Sequence, residues 1–224
     1  PSDPPPVFDG QGIPEAFRLT LDPVEGQGII FGNSTIIDDG SRGRDKEVVE
    51  RCRWRTDHEE VRLLMSTTQH FGDASLNLHR EICLAGREIT SSTRVQNTGS
   101  VPLPLMWYAH PFFPWPADGV CCRFSCDVSL PQNPGFRVND DGFIERLTEH
   151  DWSKGQFIQI DGVQGQSLHA VMRHPTRGEM TVDGDFAMSQ MPIWGNVCPV
   201  SFEPYLEQTV APNTELAWSL IYNV

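Results

Sequence analysis

Positive charge is scarce in this sequence. Of 224 residues, 17 are Lys or Arg against 30 Asp or Glu, a net charge of −13. A general nucleic-acid or anionic-membrane binder meets phosphates with basic surface, so neither partner is expected. No apolar run approaches the ~18 residues that cross a bilayer as a helix, and no basic-then-apolar signal opens the chain. It opens instead on Pro1-Ser2-Asp3-Pro4-Pro5-Pro6 without Met, so a processed or truncated start is expected. Sustained helical periodicity is missing as well: nothing holds apolar residues at i, i+3, i+4 and i+7 for three turns. Only Lys46-Glu47-Val48-Val49-Glu50 allows a single helical turn. Three common catalytic signatures are absent: the phosphate-cradling loop, the dinucleotide-binding glycine pattern and the nucleophile elbow. Gly40-Ser41-Arg42-Gly43-Arg44 therefore reads as a surface loop.

Cysteine is present without a pattern. Positions 52, 83, 121, 122, 126 and 198 have no compact repeated spacing, and a domain of this size needs no disulfide framework. Reduced thiols and a cytoplasmic location are expected. Cys121, Cys122 and Cys126 are close enough to suggest a metal site, but no second ligand pair follows at zinc-finger spacing. Cys122, Phe124 and Cys126 alternate as one strand face does. The seven histidines offer no H-x-H or H-E-x-x-H spacing, so neither a metal nor a cofactor is expected.

What is abundant is alternation. Gly and Pro, 19 and 18 residues, cut the chain into short pieces. Phe17, Leu19 and Leu21 share one side; Val61, Leu63 and Met65 another; Leu76, Leu78, Arg80, Ile82 and Leu84 a third. Past Gly86-Arg87 the period resumes with Ile89, Ser91, Thr93 and Val95, which predicts a hairpin. Leu103, Leu105 and Trp107 begin a further strand. Later strands are predicted over 157–160, 168–172, 180–182 and 216–222, with turns at Asp161-Gly162 and Asp183-Gly184. The fold class is all-β, a sandwich or barrel, with 1–15 as an extended lead-in and 16–224 as one domain.

Two clusters carry candidate chemistry. His110 ends the predicted strand Leu105-Met106-Trp107-Tyr108-Ala109 and enters Pro111-Phe112-Phe113-Pro114-Trp115-Pro116. An imidazole among aromatic rings is either a core histidine or a group held at a sugar-stacking cleft. Glu203 lies in Val200-Ser201-Phe202-Glu203-Pro204-Tyr205, downstream of Trp194. It is either solvent-facing at a strand end, which the local pattern favours, or held in a pocket.

The order of these segments resembles the aldose 1-epimerase (galactose mutarotase-like) superfamily over roughly residues 76–224. The match runs through His79-Arg80-Glu81-Ile82-Cys83-Leu84, the turn Asn97-Thr98-Gly99-Ser100, and Trp107-Tyr108-Ala109-His110-Pro111-Phe112-Phe113. Phe202-Glu203-Pro204 resembles that family's late strand with its glutamate, and Val210-Ala211-Pro212-Asn213 to Trp218 its final turn and strand. The resemblance implies a β-supersandwich, two large antiparallel sheets packed face to face. It implies His110 as the acid that protonates a sugar ring oxygen and Glu203 as the base that deprotonates the anomeric hydroxyl. Trp107, Trp115, Trp194 and Phe112 are the expected substrate-binding aromatics. The implied partner is a small-molecule carbohydrate, an aldose or aldose phosphate, and the implied activity is anomer interconversion. A non-catalytic carbohydrate-binding protein of the same fold is the alternative, and a structural sandwich domain the third reading. Family members run longer and bring an arginine and a second histidine from their first third. Arg18, Arg42, Arg53, Arg55 and His70 are candidates, and none stands in a motif.

Overall fold

The computed structural model describes residues 15–38 and 46–224. The lead-in lies outside them except for Glu15, and so does the loop Gly40–Arg44 with Arg42. Twenty strands follow one another: β1 (Glu15–Phe17), β2 (Gln27–Ile30), β3 (Ser34–Ile37), β4 (Val48–Arg51), β5 (Arg55–His58), β6 (Arg62–Phe71), β7 (Ala74–Ala85), β8 (Glu88–Asn97), β9 (Leu103–Ala109), β10 (Phe113–Pro114), β11 (Val120–Phe124), β12 (Phe136–Val138) and β13 (Ile144–Arg146). After a 3₁₀ turn at Trp152–Lys154 come β14 (Gln156–Ile160), β15 (Ser167–His174), β16 (Gly178–Ala187), β17 (Met191–Gly195), β18 (Pro199–Phe202), β19 (Tyr205–Val210) and β20 (Glu215–Asn223). No α-helix occurs among the described residues.

Ten strands form one large antiparallel sheet, β12-β13-β11-β15-β16-β20-β8-β7-β6-β5. Among the described residues, three smaller sheets, β1-β9-β19, β10-β18-β17-β14 and β2-β3-β4, accompany it. Their inner faces share one core with the large sheet. The facing is direct at two places. Phe17 of β1 and Trp107 of β9 meet Trp218 of β20 edge-on, with ring centroids 6.1 and 5.3 Å apart. Phe202 of β18 meets Phe124 of β11 at 5.4 Å.

The predicted hairpin is present. Leu78 pairs with Val95 and Ile82 with Ser91, and the turn closes at Gly86, whose φ of +64° suits a residue without a Cβ. Two expectations fail. The segment expected to allow a helical turn contributes Val48 to Glu50 to strand β4, paired with β3, because β-branched valines favour the pleated surface. Asp183-Gly184 is not a turn but the middle of β16, paired with Ile221 and Leu220. Gly184 is there for space: a Cβ would meet the Phe186 ring at 2.9 Å.

Candidate active site

Two chain crossings build the site. Strand β9 belongs to the three-stranded sheet and β10 to the four-stranded one. The link between them is His110-Pro111-Phe112, where Pro111 has no N–H to continue a ladder. In the opposite direction β18 belongs to the four-stranded sheet and β19 to the three-stranded one, and the link is Glu203-Pro204. Since β9 pairs with β19 and β10 with β18, the two links lie side by side. The Ala109 N–H donates to the Pro204 carbonyl at 3.2 Å, and the Glu203 N–H to the Pro192 carbonyl at 2.8 Å. The sheet change thus frees two adjacent positions from the ladder, and both carry an ionisable side chain.

Those side chains meet. His110 Nε2 lies 3.0 Å from Glu203 Oε1. The residues are 8% and 5% exposed, so Glu203 is not solvent-facing as the local pattern favoured. Proline on its far side and the Pro192 carbonyl on its own N–H turn it inward. His110 Nδ1 is buried without a hydrogen-bond partner among the described residues. The Phe112 ring lies 4.5 Å and the Trp194 ring 6.3 Å from the imidazole, and the two aromatic rings stand 6.1 Å apart.

A step back along the same ladder, Tyr108 pairs directly with Tyr205. Their rings stack at 5.0 Å and 13°. The Arg18 guanidinium lies 4.4 Å from the Tyr108 ring centroid and donates from Nη2 to Tyr205 Oη at 2.7 Å. Burial pulls the Arg18 pKa down, but the Tyr205 hydrogen bond, with Tyr108, Tyr205 and Glu203 nearby, outweighs it and leaves it raised. Burial pushes the Tyr205 phenol up; Arg18 opposes that and Glu203 adds to it. The cation–π–π stack fixes the facing of the two strands just before one crossing and just after the other.

His110, Glu203, Phe112 and Trp194 are therefore brought together, and Trp107 and Trp115 are not. Trp107, 1% exposed, packs on Phe186 and Trp218 in the core. It is one residue from Tyr108, so the strand turns it to the opposite face. Trp115 packs on Phe136 and Trp152 and donates to the Asn196 carbonyl at 2.8 Å. Of the candidate cations from the first third, Arg18 reaches the site. Arg53 is exposed between β4 and β5, and His70 is exposed on β6. Arg55 lines a groove of about 780 Å³ across the large sheet, to which none of these site residues contributes. Tyr108 and Tyr205 went unread in the sequence, although a tyrosine two residues before His110 and another two after Glu203 is a visible symmetry. Cys121 and Cys122 are buried in β11 with their sulfurs 3.7 Å apart, and Cys126 lies beyond that strand.

No protein-family profile matches the sequence. No curated protein matches it either. Solved structures do. A galactose mutarotase related enzyme from Lactobacillus acidophilus is 11% identical, over 76% of this chain and 71% of its own, with a TM-score of 0.55. A galactose mutarotase-like protein from Clostridium acetobutylicum is 12% identical over 97% and 82%, with a TM-score of 0.54. An aldose epimerase homologue from C. elegans is 10% identical over 96% and 84%, with a TM-score of 0.52.

The chain has the galactose mutarotase-like fold. At these identities the likeness is one of fold, and chemistry is argued from the side chains. Within this fold, the sheet-to-sheet crossings carry the buried His110–Glu203 contact of the present chain.

Proposed function

We propose that the protein is an aldose 1-epimerase-like isomerase. The observation that carries this reading is the buried contact of 3.0 Å between His110 and Glu203, placed beside the Phe112 and Trp194 rings. A cyclic aldose carries a hydroxyl and a ring oxygen on one carbon, so it can bridge an imidazole and a carboxylate. Glu203 takes the proton from the anomeric hydroxyl. The O–H electron pair becomes the carbonyl π bond, the bond from the anomeric carbon to the ring oxygen breaks, and His110 delivers its proton to that oxygen. Rotation of the free aldehyde and the reverse steps yield the other anomer with both groups restored. Each proton transfer contributes typically 10²–10⁴-fold. The Arg18–Tyr108–Tyr205 stack keeps the two strand ends in register while the sugar parts the pair. The six free thiols support a reducing, cytoplasmic setting.

One observation favours the second reading, a non-catalytic carbohydrate-binding protein: the two groups satisfy each other, as structural buried pairs do. Polarimetry on freshly dissolved α-anomers separates the two. Enzyme catalysis predicts interconversion well above the spontaneous rate on at least one aldose, lost in His110→Asn with the fold intact. A parent protein that never exceeds the spontaneous rate leaves only the binding reading.

A further inference from the structure

Strands β10, β14, β17 and β18 contain no Asp, Glu, Lys or Arg, although charged residues make up 21% of the chain. Such a sheet ordinarily hides both faces, and this one does not. Ile158, Ile193 and Phe202, directly paired across three strands, point into the core. By alternation, Phe157 and Trp194, paired in the adjacent row, point the other way, exposed and half-buried, while Ser201, third in that row, is covered. Phe157 is 58% exposed and Phe112 46%. Since Phe112 stands 6.1 Å from Trp194, and Phe157 is one strand spacing, about 4.8 Å, beyond it, the aromatic surface starts at His110 and runs outward past Trp194. Gln159, two residues along β14, shares that face and offers a neutral amide.

We propose that this aromatic strip is a second sugar subsite, and that the ligand is a neutral reducing oligosaccharide whose terminal aldose sits at His110 and Glu203 while its next unit stacks on Trp194 and Phe157. The proposal rests on the epimerase reading for the terminal unit and names the substrate class. Aromatic rings left in water gain by covering the C–H face of a sugar, whose hydroxyls stay wet. A phosphosugar is the poorer fit. Phosphate is held by Arg or Lys forks; the four strands supply none, Arg18 is committed to Tyr205 and Tyr108, and a net charge of −13 repels a dianion.

The test compares glucose and galactose with maltose, cellobiose and lactose, and with glucose 6-phosphate, by isothermal calorimetry and by polarimetry. The expected result is at least one disaccharide bound about five- to tenfold tighter than its reducing-end monosaccharide. Phe157→Ala should bring that ratio close to one, and Phe157→Tyr, which keeps the ring, should preserve it. Disaccharides bound no tighter than monosaccharides, a Phe157→Ala loss equal for both, tighter binding of the phosphate, or no sugar bound at all would overturn the proposal. So would a dimer in sedimentation that Phe157→Ala dissolves, which assigns the strip to a second copy of the chain. Disaccharide preference in calorimetry without anomer interconversion keeps the subsite and removes the epimerase reading.

Discussion

Among the described residues, two buried ionic pairs lie along the β1-β9-β19 sheet, and they are built differently. Glu15 starts β1 opposite Ala109, the neighbour of His110. Each carboxylate oxygen has a partner: one takes Arg80 Nη2 at 2.5 Å and the other takes the Ser91 hydroxyl at 2.6 Å, while Arg80 Nη2 also reaches Ser91 at 3.0 Å and Arg80 Nε has no partner among the described residues. Burial raises the Glu15 pKa, and Arg80 and Ser91 partly offset this. The other pair, His110 with Glu203, also has an orphan ring nitrogen among the described residues and has Tyr205 on its carboxylate, but its cation is an imidazole and it lies beside the Phe112 and Trp194 rings. A guanidinium stays protonated at any ordinary pH, so the Glu15–Arg80 pair has no proton to exchange with a ligand. An imidazole facing a carboxylate can give a proton and take one back. The difference separates a pair that holds the fold from a pair that can work.

The largest effect should come from breaking the Glu15–Arg80 pair. Arg80→Leu leaves a buried carboxylate with only Ser91, and the cost of removing one partner of such a pair is about 3–5 kcal/mol. Chemical denaturation should show it as a fall in the midpoint, and the double variant Glu15→Leu with Arg80→Leu should recover much of it. A single variant as stable as the parent would remove the structural role. A smaller effect is expected from Tyr205→Phe, which removes the acceptor of Arg18; hydrogen bonds to charged groups contribute about 1.5–3 kcal/mol. Since Arg18 is exposed, although Tyr205 is buried, the lower end is expected. This variant should also slow anomer interconversion without abolishing it.

Smallest is a pH effect. Burial, with Glu203, holds the Tyr205 phenol above its ordinary value of 10.0, and Tyr222 is raised by burial as well. A raised folded-state value means that the stability is fully present below the unfolded value. It is lost as pH rises through the folded one. Phenolate absorbance should therefore lag behind that of free tyrosine above pH 10, and alkaline unfolding should be less steep in Tyr205→Phe. Phenolate appearing at the ordinary value while the fold persists would contradict the burial of these rings.

Alternation made the β7–β8 hairpin legible, because every second residue from Leu76 to Leu84 except Arg80 is apolar. It could not say which face meets the core. That is why Trp107 was expected at the site and Tyr108 was not: neighbouring residues point oppositely, and both are aromatic. Glu203 was misjudged for a related reason. Its burial depends on a sheet change between β18 and β19 and on pairing with a strand 90 residues away, neither of which has a local signal. Asp183-Gly184 reads as a turn dipeptide, yet its glycine serves packing against Phe186. Phe157 looked like any strand residue, and its exposure becomes informative only beside Trp194. The approach of His110 to Glu203 came from the family resemblance, not from spacing.

The central claim is that the imidazole–carboxylate pair performs proton exchange while the guanidinium–carboxylate pair does not. Glu203→Gln tests it most directly, since the amide keeps the size and a hydrogen bond to His110 but removes the base. Polarimetry on a freshly dissolved α-anomer, run beside a melting curve, should show interconversion slowed by roughly 10²-fold or more with the melting temperature nearly unchanged. A folded Gln variant that interconverts anomers as fast as the parent, or one whose loss of activity follows a loss of fold, would contradict the account.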